Sequence, residues 1–199
     1  MKRLVLVRHG ETEGESSIRY HGANDVPLNA VGREQMERVA RRLDGERFDA
    51  VYVSRLQRTR AAARIIAPEV EAEQIPGFDE INFGAWEGLT REEIAARDPA
   101  LFERWRASNG DFHYPGGDRV SDFRARVAAS WQALAPRAPE RVLVVAHRGV
   151  ISTILMQTLG VDHDELRSWR LGLGSLHILV ARAGAWIPEL TDHHQHLEG

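Results

Sequence analysis

Leu4-Val5-Leu6-Val7-Arg8-His9-Gly10-Glu11-Thr12 is an apolar run of strand length that stops at Arg-His-Gly. Consecutive leucyl and β-branched residues suit a strand buried on both faces, as in a parallel sheet with helices on either side. Gly10 permits a sharp turn and a close approach of backbone to a ligand. Arg8 and His9 are therefore expected at the carboxyl end of a buried strand, where open α/β sheets place their ligands. The pattern returns at Val142-Leu143-Val144-Val145-Ala146-His147-Arg148-Gly149. If the two strands are neighbours, His9 and His147 meet.

Helical patterns separate the strands. Asn29 is expected to cap a helix in which Gln35, Met36, Val39, Ala40 and Leu43 recur at helical spacing, with Gly45 at its end. Phe48 to Val53 reads as a second strand. Ser54 then reads as the N-cap of a helix from Arg55 to about Ala67, stopped by Pro68. Glu71 to Ile75 is a short third strand. Residues 76–118 are glycine-rich and irregular, with short helices near Thr90 to Arg97 and Pro99 to Ala107. Asp118 or Ser121 is expected to cap a long helix carrying Val120, Phe123, Val127, Trp131 and Leu134, ended by Pro136 and Pro139. After the strand to Ala146 come a helix from Val150 to Leu159 closed by Gly160, a strand from Ser175 to Val180, and a short one from Ala185 to Leu190. Strands alternating with helices indicate an α/β fold with a mostly parallel sheet.

The 199 residues are 43% hydrophobic, enough for one good core, so a single domain over 1–199 is expected, with 76–118 as a cap-like insertion over the site. A net charge of −3 offers no bulk surface for nucleic acid or membrane, so any anion site must be a local cluster of basic groups. The absence of cysteine excludes disulfides and thiolate metal sites. Met1 leads directly into the first strand, and no apolar run approaches membrane-spanning length. A soluble cytoplasmic protein, monomer or homodimer, is the expectation. The tail His193-His194-Gln195-His196 contains metal-ligand types, but a solvated polar end accounts for it.

Arg55, Arg58 and Arg60 crowd the first turns of the helix after Ser54, where each cation opposes the helix dipole by about 0.3–1 kcal/mol. An anion at that terminus reconciles them. Snorkelling into solvent explains Arg55 and Arg60; Arg58 counts because of the company of Arg8. Singly, His9 and His147 read as satisfied histidines at strand ends. Together with Arg8 and Arg58 they make a pocket for a dianionic group. Phosphoryl transfer needs positioning and charge stabilisation above all. A histidine nitrogen can act as nucleophile, giving a phosphohistidine that water resolves. Neighbouring positive charge keeps such a histidine neutral, and a hydrogen bond on one ring nitrogen turns the other towards phosphorus. The leaving alkoxide needs a proton. Glu80, bracketed by Phe78, Ile81, Phe83 and Trp86, is the best candidate acid, because an apolar setting favours a protonated carboxyl; Asp79 and Glu87 compete with it.

Leu6-Val7-Arg8-His9-Gly10-Glu11-Thr12 resembles the signature of the histidine phosphatase superfamily, the branch containing cofactor-dependent phosphoglycerate mutases and related phosphatases. The resemblance continues along the chain. Gly22-Ala23-Asn24-Asp25-Val26-Pro27-Leu28 is similar to the family's G-x-x-D-x-P-L segment, and Ser54-Arg55-Leu56-Gln57-Arg58-Thr59 to its S-x-L-x-R-T helix start. Glu80 through Gly88 resembles its E-x-x-x-G-x-x-E-G stretch, Pro115-Gly116-Gly117-Asp118 its P-G-G-E turn, and Val145 through Gly149 its second-histidine motif. The resemblance implies a three-layer αβα sandwich with a mostly parallel central sheet. It implies His9 as the phosphorylated nucleophile, with Arg8, Arg58 and His147 as the phosphate pocket. Glu80 would donate the proton and later activate water. No metal or organic cofactor is implied, and the partner is a small phosphorylated substrate, contacted by Glu15, His21, Gly22 and Arg148.

Two departures stand out. The family usually has asparagine where this chain has Glu15, and glycine where it has Arg148. These are expected to form a compensating ion pair at the mouth of the site. Mutases of the family usually carry longer insertions, so this short chain resembles a phosphatase more than a mutase. The segments Glu80 to Gly88 and Phe112 to Gly117 are similar to those of α-ribazole phosphatases and of general-purpose phosphatases. The expected activity is a metal-independent phosphomonoesterase. The alternatives are mutase-like phosphoryl transfer and a binding or regulatory protein on the same fold with weakened turnover. Metal-assisted hydrolysis lacks the H-E-x-x-H spacing or a comparable one.

Overall fold

The computed structural model describes residues 1–108 and 110–198. Its centre is strand β1 (Arg3–Arg8), and β4 (Arg141–Ala146) lies beside it in parallel, with Arg8 opposite Ala146. The two strand-histidine stretches thus end side by side. Beyond β4 lie β2 (Ala50–Val53) and β3 (Ala72–Gln74), both running parallel to it. On the other flank β5 (Leu176–Arg182) pairs antiparallel with β1, and β6 (Ala185–His193) pairs antiparallel with β5. The sheet order is β3-β2-β4-β1-β5-β6. A two-residue hairpin joins the last strands through Ala183 (φ 50°) and Gly184 (φ 82°), the left-handed pair that matches strand twist. The final strand runs nine residues to His193, longer than the short one expected at Ala185 to Leu190.

Alternation along the strands divides the core in two. Val5, Val7, Val51, Val53, Leu143 and Val145 face helices α1 (Ala30–Arg42) and α2 (Gln57–Ile66), meeting Met36, Val39, Ala62 and Ile66. Leu4, Leu6, Val142 and Val144 face α5 (Val120–Leu134) and α6 (Arg148–Leu159), meeting Phe123, Val127, Trp131, Ile151 and Ile154. Helices α3 (Arg91–Arg97) and α4 (Pro99–Arg106) lie in the irregular region, and α7 (His163–Arg167) follows α6. Thr90 and Glu93 form a capping box on α3. Asn29 caps α1 by accepting Gly32 N–H at 2.8 Å. The first turn of α1 packs against the loop after β1, and a Cβ on Gly10 would lie 2.4 Å from the Gly32 carbonyl oxygen.

Two expected caps are corrected. Helix α2 begins at Gln57, not Arg55, and its first N–H is taken by the Asp25 carboxylate at 2.7 Å. Ser54 Oγ accepts Leu56 N–H at 3.2 Å, ahead of the helix, and has further partners described below. Helix α5 follows Arg119 with no side-chain cap. Asp111 accepts Ser121 N–H at 3.1 Å, and Asp118 accepts Asn82 N–H at 3.0 Å. In each case a carboxylate distant in sequence does what the nearest hydroxyl or carboxylate was expected to do.

His177 on β5 gives the fold an acid-sensitive point. Its ring is fully buried and stacked on Trp169, with centroids 5.9 Å apart, and its Nδ1 accepts Asp192 N–H at 3.1 Å. Burial pushes its pKa down to about 4, against partial support from Asp192. The unfolded chain takes up this proton near pH 6.5, whereas the folded chain does so only near 4. Stability present at neutral pH is therefore lost as pH falls below 6.5. Between pH 7 and 5 this group alone is expected to remove about 2 kcal/mol. Urea titrations at the two pH values should show His177→Gln losing less stability than wild type by that amount. An equal loss in both proteins refutes a neutral buried His177.

Candidate active site

The carboxyl ends of β1 and β4 open into a cleft of about 1090 Å³. Arg8 and His9 line its floor, and Arg58 and His147 lie buried directly behind them. The His9 and His147 rings meet edge to face with centroids 5.1 Å apart. His9 Nδ1 lies 2.7 Å from the Gly10 carbonyl oxygen, a partner that can only accept. Nδ1 is thus the protonated nitrogen, leaving Nε2 with its lone pair. On His147, Nε2 lies 2.8 Å from Ser54 Oγ, and Nδ1 faces Arg58 Nε at 3.4 Å. Ser54 also bonds Thr59 Oγ1 at 2.8 Å, so its hydroxyl links α2 to the second histidine.

Burial first, then the charges of Arg58 and Arg8, hold His9 well below the ordinary histidine range. Burial, with Arg58, His9 and Arg8, does the same to His147. Both rings are neutral at physiological pH. Burial, the neighbouring Arg148 and Arg58 push Arg8 down to about 10, so it keeps its charge.

The two arginines are held alike. Arg58 donates to the carbonyls of Asn24 (2.7 Å), Gly22 (2.8 Å) and His21 (3.2 Å). That loop is in turn fixed by the Glu87 carboxylate, which accepts the N–H groups of Gly22, Ala23, Asn24 and Phe83. Arg8 donates to the Leu171 carbonyl at 2.8 Å. The Asp192 carboxylate accepts Arg170 and Leu171 N–H at 2.6 and 2.8 Å, holding a turn in which Leu171 has φ 42°. Each carboxylate stands one backbone segment behind its arginine. Among the described residues no carboxylate contacts either guanidinium, and Arg8 Nε is buried without a hydrogen-bond partner.

Of the three competing carboxylates, only Glu80 lines the cleft. Asp79 is engaged by Arg55, whose Nε lies 2.7 Å from Oδ2, and Glu87 by its four N–H donors. Glu80 accepts Gly149 N–H at 3.1 Å in the first turn of α6 and its neighbour Ile81 N–H at 3.0 Å. A Cβ on Gly149 would lie 2.6 Å from Glu80 Oε1, so this contact requires glycine.

The expected substrate contacts divide. His21 and Arg148 line the cleft. Gly22 does not: it stands behind Arg58, with its N–H on Glu87 and its Cα against the Ile81 carbonyl. Glu15 and Arg148 are not paired. Glu15, on a left-handed turn at φ 57°, bonds Arg19 Nε at 3.1 Å, because the turn after it brings a residue four positions on within reach. In the tail, His194 Nδ1 bonds the Asp192 carbonyl and His196 Nε2 the Gly174 carbonyl. No cluster of three metal-ligating side chains occurs among the described residues. No helix among them is long and apolar enough to cross a membrane.

Residues 4–192 match the histidine phosphatase superfamily (branch 1). The chain belongs to that superfamily. It is 32% identical over 202 residues to the metal-independent phosphoserine phosphatase of Arabidopsis thaliana, covering 98% of this chain and 82% of that protein. Wheat (Triticum aestivum) 2-carboxy-D-arabinitol-1-phosphatase is 31% identical over 193 residues, 96% of this chain, but the chain spans only 37% of that longer protein. Among solved structures, the alpha-ribazole phosphatase from Shigella flexneri superimposes with a TM-score of 0.82 at 25% identity, covering 96% of each chain. The superfamily and these relatives support a phosphatase of small metabolites.

Proposed function

We propose that this histidine phosphatase hydrolyses a small phosphomonoester through a phosphohistidine on His9, without a metal ion. The observation that carries the reading is the His9 ring on the cleft floor, its Nδ1 tied to the Gly10 carbonyl and Arg8 and Arg58 near enough for their charges to act on it. Arg8 and Arg58 hold the phosphoryl oxygens. Nε2 attacks phosphorus in line as the P–O bond to the alcohol breaks, and Glu80, as general acid, gives a proton to the departing oxygen. Glu80, now a carboxylate, takes a proton from water as that water attacks phosphorus. The P–N bond breaks, phosphate leaves, and His9 Nε2 recovers its lone pair. Each step uses charge placed before the reaction, the arrangement that lowers barriers most.

Hydrolysis of p-nitrophenyl phosphate in excess chelator tests the metal-independent part: unchanged turnover supports it, and loss restored by a divalent metal refutes it. Glu80→Gln tests the acid. The value of kcat/KM reports the first half-reaction. p-Nitrophenol leaves readily as its anion, whereas an alkyl alcohol needs the proton. The substitution should cost alkyl phosphates about 10²–10⁴-fold and the nitrophenyl ester far less. Equal losses would remove Glu80 from the role of acid.

A further inference from the structure

Arg8 hangs from a chain of contacts that ends at a histidine outside the cleft. Its guanidinium donates to the Leu171 carbonyl at 2.8 Å, and the N–H groups of Arg170 and Leu171 rest on the Asp192 carboxylate. Asp192 is itself held in an unusual place. Where β5 pairs with β6, Leu176 faces His193 and Ile178 faces Leu190, so Thr191 and Asp192 together stand opposite His177. This is a β-bulge, a device that bends a strand and re-aims a side chain. Asp192 has φ 47° and Leu171 φ 42°. Such left-handed conformations are strained for residues with a Cβ and persist only where the surroundings hold them. The side-chain acceptor at the bulge is His177 Nδ1, which takes the Asp192 N–H at 3.1 Å.

Stability alone does not require a histidine there. The ring is fully buried on β5, opposite Leu6 of β1. Because Nδ1 accepts, Nε2 carries the hydrogen, and Nε2 has no partner among the described residues. An apolar side chain in a regular ladder would avoid that cost and the left-handed Asp192 together. What it could not supply is the acceptor. Trp169, stacked on the ring at an interplanar angle of 9°, fixes the plane in which Nδ1 points. We propose that His177 is a positioning residue for Arg8: it holds the Asp192 bulge, the bulge holds the Arg170–Leu171 turn, and the turn aims the guanidinium at the phosphoryl oxygens. The Arg8 main chain is fixed separately, by its N–H on the Ser175 carbonyl at 3.1 Å, so the histidine bears on the side chain. This role rests on the phosphatase reading above.

The test separates the acceptor from the ring. His177→Phe keeps a flat ring beside Trp169 and leaves the Asp192 N–H without its acceptor, whereas His177→Asn loses the stack and can place Oδ1 where Nδ1 was. The readouts are the inhibition constant of inorganic phosphate and kcat/KM, per folded protein, with the melting temperature alongside. His177→Phe should weaken both by about 10-fold or more, because a slightly misplaced substrate-holding group is costly. His177→Asn should recover most of the loss. Ile66→Ala, in the other half of the core, should melt lower and keep wild-type phosphate inhibition. Asp192→Asn tests the middle of the chain. Since the two residues act through one turn, its combination with His177→Phe should lose no more than the worse single variant. Wild-type values in His177→Phe overturn the proposal. So do an asparagine variant no better than phenylalanine, single losses that multiply, or equal weakening in Ile66→Ala. Should His177→Phe not fold, His177→Gln, whose amide oxygen reaches past the Nδ1 position, takes its place. Calorimetry with inorganic phosphate separates the two readings. Weaker binding in His177→Phe, recovered in His177→Asn, without turnover of any ester by wild type, keeps the positioning role and sinks the phosphatase reading. Turnover that His177→Phe leaves unchanged does the reverse.

Discussion

His9→Ala is expected to lower turnover of every phosphate ester by roughly 10³-fold or more, the scale seen when a covalent nucleophile is removed. The loss should appear in kcat, because the arginines proposed to bind phosphate, Arg8 and Arg58, keep their carbonyl supports. The inhibition constant of inorganic phosphate should change far less than the rate. Acid-stable and alkali-stable labels distinguish the covalent species: wild type mixed briefly with a ³²P-labelled ester should retain protein-bound phosphate that survives alkali and is lost in acid. His9→Ala should retain none. Removing a buried ring leaves the Gly10 carbonyl short of one donor, so some stability is lost, and the melting temperature must be measured beside the rate. Turnover within tenfold of wild type, in a protein that melts normally, would assign the chemistry to another group.

What the sequence could reveal follows from range. The ends of β1 and β4 were legible because a doubly buried strand writes itself as an unbroken apolar run, and parallel pairing then brings His9 and His147 together. Helix α1 was legible because Asn29 and the Met36–Val39 spacing lie within one local segment. The supports of the site were not. Ser54 looked like a cap because its sequence neighbours are helical, but His147, 93 residues away, takes its hydroxyl. Asp192 lies 22 residues from the Arg170 N–H it accepts, beyond the short strand expected to stop at Leu190 and just before the tail that read as solvated. The Glu15 and Arg148 pairing failed for the converse reason: charge arithmetic proposed it, and a local turn supplied Arg19 first. Residue type identifies groups that do chemistry, whereas the partners that orient them are set by tertiary contact.

Those partners share one logic. A site for a dianion needs arginines that are rigid and still charged towards the ligand. A carboxylate in direct contact would give rigidity and cancel the field. Carbonyl acceptors give rigidity while leaving the charge, and the carboxylates sit behind the carbonyls, on the N–H groups of the same segments. Glu87 and Asp192 do this for Arg58 and Arg8.

Glu87 is the stronger test, because four backbone N–H groups converge on its two oxygens. In Glu87→Gln, one oxygen becomes an NH₂ group facing N–H donors. One or two of those donors lose their acceptor, and the loop that carries the His21, Gly22 and Asn24 carbonyls loosens. The expected cost is about 2–4 kcal/mol of stability, from unsatisfied donors and a lost charge-assisted network. With its carbonyls displaced, Arg58 no longer faces the phosphoryl oxygens squarely, and kcat/KM should fall about 10²-fold. A purely structural role would lower the melting temperature and leave the folded fraction with normal phosphate affinity. A positioning role weakens inhibition by inorganic phosphate in the folded protein as well. Glu87→Asp keeps the charge on a shorter arm and should recover part of both losses. A Glu87→Gln protein that melts lower but keeps wild-type kcat/KM and phosphate inhibition would show that Arg58 holds its position without this carboxylate.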